Sequence, residues 1–192
     1  MGDLQEGGET SIKRIGVISD THLSESGRRG IPERVIEHFR GVDMILHAGD
    51  FTSRRALNDL ERIAPVIGVR GNNDPAHLEL PRTRRVQIEG ITIGLCHGDR
   101  GRDNEYFKPL DQFAGNAMTA ANALSQFEFE DDVSVLIFGH SHNPMVMWHR
   151  HEGHTLLFFN PGSPTDKRWG PKYACGLLQI NGDEVTPQLW TW

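Results

Sequence analysis

The sequence predicts an α/β domain in which two mixed β-sheets pack together and are flanked by helices. Three observations predict this fold. The first half repeats a strand, a polar loop, a helix and a strand, which is typical of parallel strands joined by helical crossovers. The second half is rich in β-hairpins. No linker separates the two halves, and 192 residues suffice for one buried core but are few for two domains.

The first half contains three predicted strands. Short runs rich in β-branched residues occupy positions 14–19, 44–46 and 65–69, and each run stops at a polar segment. Pro32 opens the helix after the first strand, and Ser53 is suited to cap the next helix. We expect the buried helix faces to carry Val35, Ile36 and Phe39 in the first helix and Ala56, Leu57, Leu60 and Ile63 in the second.

Hairpin signals dominate the second half. Hydrophobic residues alternate on both sides of short turns, which is typical of antiparallel strand pairs. The predicted turns are Glu89-Gly90, Glu152-Gly153 and Asn181-Gly182. A further strand is predicted at residues 133–137. Between these elements, helical spacing predicts a longer helix through Phe113, Ala117, Ala121 and Leu124.

Composition argues against several functional classes. The formal net charge of −6 disfavours stable nucleic-acid binding, which requires a basic surface. Two cysteines cannot build a disulfide framework, so we expect a cytoplasmic protein. No apolar run approaches the roughly 20 residues that a membrane span needs. Residues 1–12 lack the apolar segment of a signal peptide, and we expect a disordered tail there and one domain at residues 13–192.

Side chains able to bind metal follow five predicted strands, at the point where each strand ends. Open α/β sheets bind their ligands at the carboxyl ends of strands. Carboxylate and amide oxygens mixed with imidazole nitrogens suit divalent ions such as Mn, Fe, Co, Ni and Zn. A single Asp-x-His is usually a simple turn, so the interpretation depends on the whole set. Its members are Asp20, His22, Asp50, Asn72, His97, His140 and His142.

The motifs around these residues carry a family resemblance. They are Asp20-x-His22, Gly49-Asp50, Gly71-Asn72, His97-Gly98 and Gly139-His140-x-His142, followed by Asn160-Pro161-Gly162-Ser163. In this order the chain resembles the calcineurin-like metallophosphoesterases, and most closely their small YfcE-like phosphodiesterase branch. Each motif alone is weak, whereas five in order at strand ends are highly specific. The resemblance implies a four-layer αββα sandwich and the hydrolysis of phosphate esters by metal-activated water.

The resemblance also implies a role for each ligand. Two divalent ions per chain are expected, with Mn²⁺ as the first expectation and Ni, Fe, Co and Zn left open. Asp50 is expected to bridge both ions and the nucleophilic water. The implied ligand sets are Asp20, His22 and His142 for one ion and Asn72, His97 and His140 for the other.

The chain departs from the family pattern where proton transfer is expected. Asn73 stands where many members have a histidine that assists the leaving group, and Asp99 stands where YfcE-like members often have another. Asparagine cannot act as a general acid, and two nearby cations would lower the pKa of an aspartate. We therefore expect Asn73 to contact phosphate, Asp74 to act from behind the ligands, and slow hydrolysis that favours aryl phosphodiesters.

Two other functions are alternatives. One is a metal-binding scaffold for protein interactions, as the retromer subunit of the same fold is thought to be, and the other is a nuclease. Retention of every expected ligand favours the enzyme, and the acidic balance disfavours the nuclease. A small phosphate-ester or nucleotide-like substrate is expected, without a membrane partner, and a homo-oligomer is left open. We expect His47 either to support the ligands or to have a structural role, and we expect specificity determinants in loops 24–31 and 99–111.

Overall fold

The computed structural model describes residues 12–99, 129–130, 132–151, 154–168 and 172–192. None of the helices in these ranges is long and apolar enough to span a membrane. The helices are α1 (Glu33–His38) and α2 (Arg54–Glu61), with one 3₁₀ turn at Ala76–Leu78. The strands are β1 (Lys13–Ile18), β2 (Met44–His47), β3 (Val66–Gly68), β4 (Thr83–Ile88), β5 (Ile91–Cys96), β6 (Val135–Ile137), β7 (Met145–His151), β8 (His154–Asn160), β9 (Ala174–Asn181) and β10 (Glu184–Thr191).

The first sheet has the strand order β10-β9-β1-β2-β3. Strands β1, β2 and β3 are parallel, and β9 and β10 extend the sheet in the antiparallel sense. Helices α1 and α2 cover its outer face, where Val35 and Leu60 pack into one apolar cluster with Ile45 of β2. The hydroxyl of Ser53 accepts a hydrogen bond from the backbone N–H of Ala56 over 3.3 Å, so Ser53 caps α2 as predicted.

The second sheet has the strand order β4-β5-β6-β8-β7. Strands β5, β6 and β8 are parallel, and β4 and β7 form antiparallel edges. Side chains alternate between its two faces. Leu95 and Ile137 point to the core between the sheets, whereas Cys96 and Phe138 belong to a separate cluster on the opposite face. Both faces of this sheet are therefore apolar.

The main core lies between the two sheets. Ile15 and Val17 of β1 pack there in one cluster with Ile93 of β5 and Phe159 of β8, and all four side chains are fully buried. Burial of such side chains contributes roughly 1.5–3 kcal/mol each to folding. The predicted arrangement of two packed mixed sheets with flanking helices is confirmed.

Several predicted elements agree with the structure. The turn at Glu89-Gly90 joins β4 to β5, and the turn at Asn181-Gly182 joins β9 to β10. Gly182 has a φ of 61°, the left-handed conformation that favours glycine in tight hairpin turns. Strands β7 and β8 also form an antiparallel pair, although their predicted turn residues lie outside the described ranges.

The structure corrects two details. Ile36 does not share the buried face of α1, because it is 36% exposed while Val35 and Phe39 are fully buried. Successive helical residues point about 100° apart, so Ile36 turns away from the sheet. Strand β6 starts at Val135, two residues later than predicted. The predicted helix at residues 113–124 and most of the predicted tail at residues 1–12 lie outside the described residues.

Candidate metal centre

All seven predicted ligands lie together at one edge of the sandwich, beyond the carboxyl ends of β1, β2, β3, β5 and β6. Backbone hydrogen bonds continue past the strand ends and join neighbouring loops. The N–H of Asp20 donates to the carbonyl of Gly49 over 2.9 Å, and that of His22 donates to the carbonyl of Asp50 over 3.1 Å. Between the sheets, the N–H of His140 donates to Oδ2 of Asp20 over 3.0 Å. The fold therefore fixes the relative positions of these loops.

The first group of candidate ligands consists of Asp20, His22 and His142. Nε2 of His22 lies 3.3 Å from Nε2 of His142, and the latter lies 3.2 Å from Oδ1 of Asp20. Nε2 of His22 lies 3.9 Å from the same oxygen. The three donor atoms therefore form a small triangle around one point.

The second group consists of Asn72, His97 and His140. Oδ1 of Asn72 lies 3.1 Å from Nε2 of His97 and 3.0 Å from Nδ1 of His140. The two imidazole nitrogens lie 3.3 Å apart. These three donor atoms form a second triangle of similar size.

Asp50 lies between the two groups. Its Oδ2 is 3.5 Å from Nε2 of His22 and 3.4 Å from Nε2 of His97. The carboxylate of Asp20 also reaches both groups, because the donor atoms of Asp20, Asp50 and His97 all lie within 4.8 Å of one another. Two carboxylates thus stand among four imidazoles and one amide.

The donor atoms fit divalent metal ions. Two ligand atoms about 2.1 Å from one ion lie roughly 3.0–3.4 Å apart, which is close to the separations within each triangle. Oδ1 of Asp20 is buried and has no hydrogen-bond partner among the described residues. A buried carboxylate oxygen without a partner is costly unless a cation compensates it. We therefore regard this cluster as a candidate metal centre.

Backbone carbonyls orient two of the imidazoles. Nδ1 of His97 donates to the carbonyl of Ala48 over 2.7 Å, and Nδ1 of His142 donates to the carbonyl of Asp166. When Nδ1 is the donor, Nε2 of the neutral ring carries the lone pair. Both rings can therefore present Nε2 as a metal ligand, in the manner of metal-binding histidines in general.

Backbone conformation at the centre is unusual. A positive φ is uncommon outside glycine, and it costs of order 1–3 kcal/mol at each residue. Such residues cluster at functional sites, because the surrounding structure must hold them in place. Five of the seven candidate ligands have this conformation, with φ of 52° at Asp20, 43° at His22, 59° at Asp50, 69° at His140 and 60° at His142.

Glycines allow the loops to approach closely. A Cβ atom on Gly71 would lie 2.1 Å from Oδ1 of Asp50, and one on Gly139 would lie 2.6 Å from Oδ2 of Asp20. Gly49 has a φ of 92°, and a Cβ atom there would lie 2.7 Å from Nδ1 of His97. Side chains at these positions would displace the candidate ligands. Steric crowding therefore explains why glycine precedes the candidate ligands in these motifs.

Electrostatic interactions favour cations at the centre. Burial alone would lower the pKa of His97, but a hydrogen bond from its ring to the Asp50 carboxylate and the charges of Asp20 and Asp50 outweigh burial and raise this pKa to about 9. Burial would raise the pKa of Asp50, but His97 and Asn73 outweigh it and lower this pKa. The carboxylates are therefore ionised at neutral pH and attract positive charge.

Two imidazoles stay neutral more readily. Burial, assisted by the charges of His142 and Arg168, lowers the pKa of His22 despite the opposing effect of Asp20 and Asp50. Burial also lowers the pKa of His140, and the charge of His97 adds to this effect. A neutral imidazole is the form that binds a metal ion.

Asn73 and Asp74 both support Asp50. Asn73 donates two hydrogen bonds to its carboxylate, from Nδ2 to Oδ2 over 2.6 Å and from the backbone N–H to Oδ1 over 2.8 Å. Asp74 accepts the backbone N–H groups of Asp50 at 2.9 Å, Thr52 at 2.7 Å and Gly71 at 2.8 Å. Burial raises the pKa of Asp74 although these donors oppose it. Asp74 therefore fastens the loops after β2 and β3 together.

His47 is fully buried and lies outside the two ligand groups. Nδ1 accepts the N–H of Gly49 over 3.1 Å, so Nε2 is protonated and donates to the hydroxyl of Thr21 over 3.1 Å. Its ring stacks on Phe51 with centroids 3.5 Å apart. Burial lowers the pKa of His47 to about 3. These contacts agree with the structural role, one of the two expected of it.

The segment Asn160–Ser163 holds the ligand loops from behind. Asn160 donates from Nδ2 to the carbonyl of Gly139 over 3.1 Å, and the Ser163 hydroxyl donates to the carbonyl of Asp20 over 2.7 Å.

The sequence did not reveal the carbonyl of Asp166 that accepts from His142, because a backbone group has no residue-type signal. A cationic cavity next to His22 was also missed, since its residues come from two distant loops.

The comparison with known sequences identifies the family. The calcineurin-like phosphoesterase superfamily domain matches residues 14–183. A probable metallophosphoesterase of Methanothermobacter thermautotrophicus is 37% identical over 179 residues, which cover 91% of this chain and 90% of the relative. A probable metallophosphoesterase of Methanocaldococcus jannaschii is 37% identical over 158 residues, covering 80% of this chain and 69% of the relative.

Solved structures share the fold. Vps29 from Entamoeba histolytica complexed with Zn²⁺ is similar with a TM-score of 0.65 and 24% identity, covering 93% of this chain and 92% of that protein. A Thermotoga maritima protein is similar with a TM-score of 0.62 and 26% identity, covering 94% of this chain and 99% of that protein. On the family match and the two archaeal relatives, the chain belongs to the calcineurin-like phosphoesterase superfamily.

Proposed function

We propose that the protein is a phosphodiesterase that uses two divalent metal ions, Mn²⁺ first among them, to hydrolyse a small or nucleotide-like phosphate ester in the cytoplasm. The position of Asp50 is the observation that carries this proposal. One of its carboxylate oxygens lies within 3.5 Å of a nitrogen in each ligand group, as a bridging ligand requires. The two sets would be Asp20, His22 and His142, and Asn72, His97 and His140.

The charge of this ligand set supports a phosphate substrate. Asp20 and Asp50 contribute two negative charges, whereas Asn72 and neutral imidazoles contribute none. Two divalent ions would leave the centre with about two positive charges. A phosphate anion would therefore be attracted to this edge even though the whole chain has a formal net charge of −6.

Residues of the chain itself orient the candidate metal ligands. When bound, two divalent ions would polarise the phosphoryl oxygens and supply hydroxide near neutral pH. Asn73 holds both oxygens of Asp50, and Asp74 holds the backbone of Asp50. Fixed ligands avoid reorganisation during the reaction, which is how preorganised sites lower a barrier.

Leaving-group chemistry supports diesters of acidic alcohols. Asn73 cannot deliver a proton, and its amide is engaged with Asp50. Oδ2 of Asp99 lies 3.7 Å from Nη1 of Arg82, so this carboxylate is engaged in an ion pair. Neither residue is suited to protonate an alkoxide. A phenolate leaves without that help, so aryl phosphodiesters are the favoured class.

A scaffold function is the main alternative. The strained backbone at five candidate ligands favours the enzyme, because a binding platform distant from the centre would not need it. The Zn²⁺ complex of Vps29 from Entamoeba histolytica supports metal binding by this fold but does not separate the two functions.

Hydrolysis of bis(p-nitrophenyl) phosphate and p-nitrophenyl phosphate by metal-free protein, with Mn²⁺ added back, tests the proposal. We expect two Mn²⁺ per chain by elemental analysis and faster cleavage of the diester. Asp50→Asn should lower both the metal content and kcat, whereas Asp183→Asn, an exposed residue in the β9–β10 turn, should change neither. Two bound ions without cleavage of any ester would contradict the enzyme and favour the scaffold.

A further inference from the structure

A cavity of about 520 Å³ adjoins the candidate metal centre at His22. This volume lies within the usual range of small-molecule sites. Two loops form the cavity, one after β1 and one after β8. Its lining includes four cationic side chains, Arg28, Arg29, Lys167 and Arg168.

These cations reverse the charge of the protein locally. Among the residues that the structure describes, Arg168 has a counter-charge in Asp166, with Nε 3.8 Å from the carboxylate. In the same part of the chain, Arg28, Arg29 and Lys167 have no carboxylate at ion-pair distance. Unpaired cations around one cavity in an acidic protein are suited to bind an anion.

Both loops are held in place. Nη1 of Arg55 donates to the carbonyls of Ser24 and Gly27, which ties the first loop to α2. In the second loop, the N–H of Asp166 donates to the hydroxyl of Ser163 over 2.9 Å, and its carbonyl accepts from His142. The cationic residues are therefore carried by a backbone that is fastened to the metal centre.

The second loop also orients its lysine. Nζ of Lys167 lies 5.5 Å from the centroid of the Tyr173 ring, a cation–π contact that restrains the ammonium group. Tyr173 itself lines the cavity. An ammonium group held this way loses less entropy when it binds an anion.

We infer that this cavity binds a second phosphate group of the substrate, so that the enzyme acts on small phosphate esters that carry a phosphate besides the scissile one. The inference rests on the proposed function, because it places the scissile phosphate at the metal centre next to His22. Clusters of arginine and lysine bind phosphate through several charge-assisted hydrogen bonds.

Calorimetry on the Mn²⁺-loaded protein tests the inference with adenosine 3′,5′-bisphosphate, fructose 1,6-bisphosphate and adenosine 5′-monophosphate. We expect at least about tenfold tighter binding of the bisphosphates than of the monophosphate. Lys167→Ala/Arg168→Ala should remove most of this advantage, while the charge-preserving Lys167→Arg/Arg168→Lys should retain it. Equal advantages for both bisphosphates mean recognition of phosphate alone, and a larger one for the adenosine compound adds recognition of the nucleoside.

A charge-matched control removes two exposed cations from the second sheet, Arg84→Ala/Arg150→Ala, and should leave the bisphosphate advantage unchanged. Equal affinities of the unmodified protein for mono- and bisphosphates would overturn the inference, as would an equal loss for both in the alanine variant. Cleavage of bis(p-nitrophenyl) phosphate, which has no second phosphate, tests the proposed function separately. Cleavage without a preference for bisphosphates would contradict the second-phosphate site but not the phosphodiesterase activity. A preference for bisphosphates without cleavage would contradict the phosphodiesterase activity but not the second-phosphate site.

Discussion

Asn73 contacts both carboxylate oxygens of Asp50, with its side-chain amide 2.6 Å from Oδ2 and its backbone nitrogen 2.8 Å from Oδ1. Both groups are donors, so they favour the ionised carboxylate and fix its plane. Asn73, which stands where the family resemblance led us to expect a histidine, thus supports the central carboxylate of the candidate metal centre.

Substitution of Asn73 by alanine tests this relationship. The variant keeps the backbone donor but loses the side-chain donor, so Asp50 becomes less well oriented. We expect Mn²⁺ affinity or diester kcat to fall by about 10- to 100-fold, as is usual when a partner of a metal ligand is lost. Asn58→Ala, an exposed position of α2, is the control. Unchanged titration curves and rates in Asn73→Ala would contradict this role.

Asp74 should contribute to stability independently of metal. Asp74 as a whole residue is 4% exposed, and its carboxylate accepts three backbone N–H groups. In Asp74→Asn the side-chain NH₂ group would face backbone N–H groups that now donate to the carboxylate, so at least one hydrogen bond is lost. We therefore expect a loss of about 2–3 kcal/mol of unfolding free energy. Urea unfolding in EDTA measures it.

Asp43 provides the matched control for Asp74. It accepts one N–H, that of Arg14 at 2.7 Å, at the protein surface, so Asp43→Asn should cost less than about 1 kcal/mol. Equal losses in the two variants would show that the three hydrogen bonds to Asp74 have no special weight.

Gly71→Ala should disrupt the centre through one methyl group. The added Cβ atom would lie 2.1 Å from Oδ1 and 2.5 Å from the backbone nitrogen of Asp50, so the loop after β2 or β3 must move. Such overpacking typically costs about 1–3 kcal/mol, and we expect bound Mn²⁺ and diesterase activity to fall with it.

Gly90→Ala is the matched control for Gly71→Ala. Its Cβ atom would meet nothing nearer than 3.6 Å, so melting temperature and metal content should stay close to those of the unmodified protein. Retention of two metal ions by Gly71→Ala would mean that the loops can separate without cost to the site.

The ligands could be predicted because their signal is local. Each one lies within about five residues of the end of a predicted strand, as Asp20 does after β1 and His97 does after β5, and parallel strands bring their carboxyl ends to one edge. The hydrogen bonds that support them could not be predicted. Asp74 was expected to support the ligands, but its partners are backbone N–H groups, and the acceptor for His142 is the carbonyl of Asp166. Backbone groups leave no pattern in residue types.

The cationic cavity was beyond sequence analysis for a different reason. Arg28 and Arg29 sit in a polar loop, and Lys167 and Arg168 sit in another, far along the chain. Two adjacent cationic residues in a polar loop are ordinarily just solvated side chains at the surface. Only the pairing of β1 with β9, which sets the ends of these loops side by side, brings the pairs to one cavity. Loop 24–31, expected to affect specificity, contributes to it, whereas most of loop 99–111 lies outside the described residues.

His47 should make the protein less stable in acid. Burial lowers its pKa to about 3 in the folded protein, whereas an unfolded chain has a histidine pKa of about 6.5. Between these values only the unfolded state binds the proton, so the contribution is complete above about pH 6.5 and is lost as the pH falls towards 3. We expect this group to remove about 2 kcal/mol of unfolding free energy between pH 7.5 and pH 5.

His47→Asn isolates this effect, because asparagine does not titrate and its oxygen can still accept the N–H of Gly49 that binds Nδ1 in the structure. Urea unfolding in EDTA at pH 7.5 and pH 5 gives the change for each protein, and the other histidines contribute equally to both. The variant should be less stable at pH 7.5, since it loses the packing of the ring on Phe51, yet lose about 2 kcal/mol less on acidification. Parallel losses would mean that His47 can become protonated inside the fold, and then the hydrogen bond from the N–H of Gly49 to Nδ1 would have to open in acid.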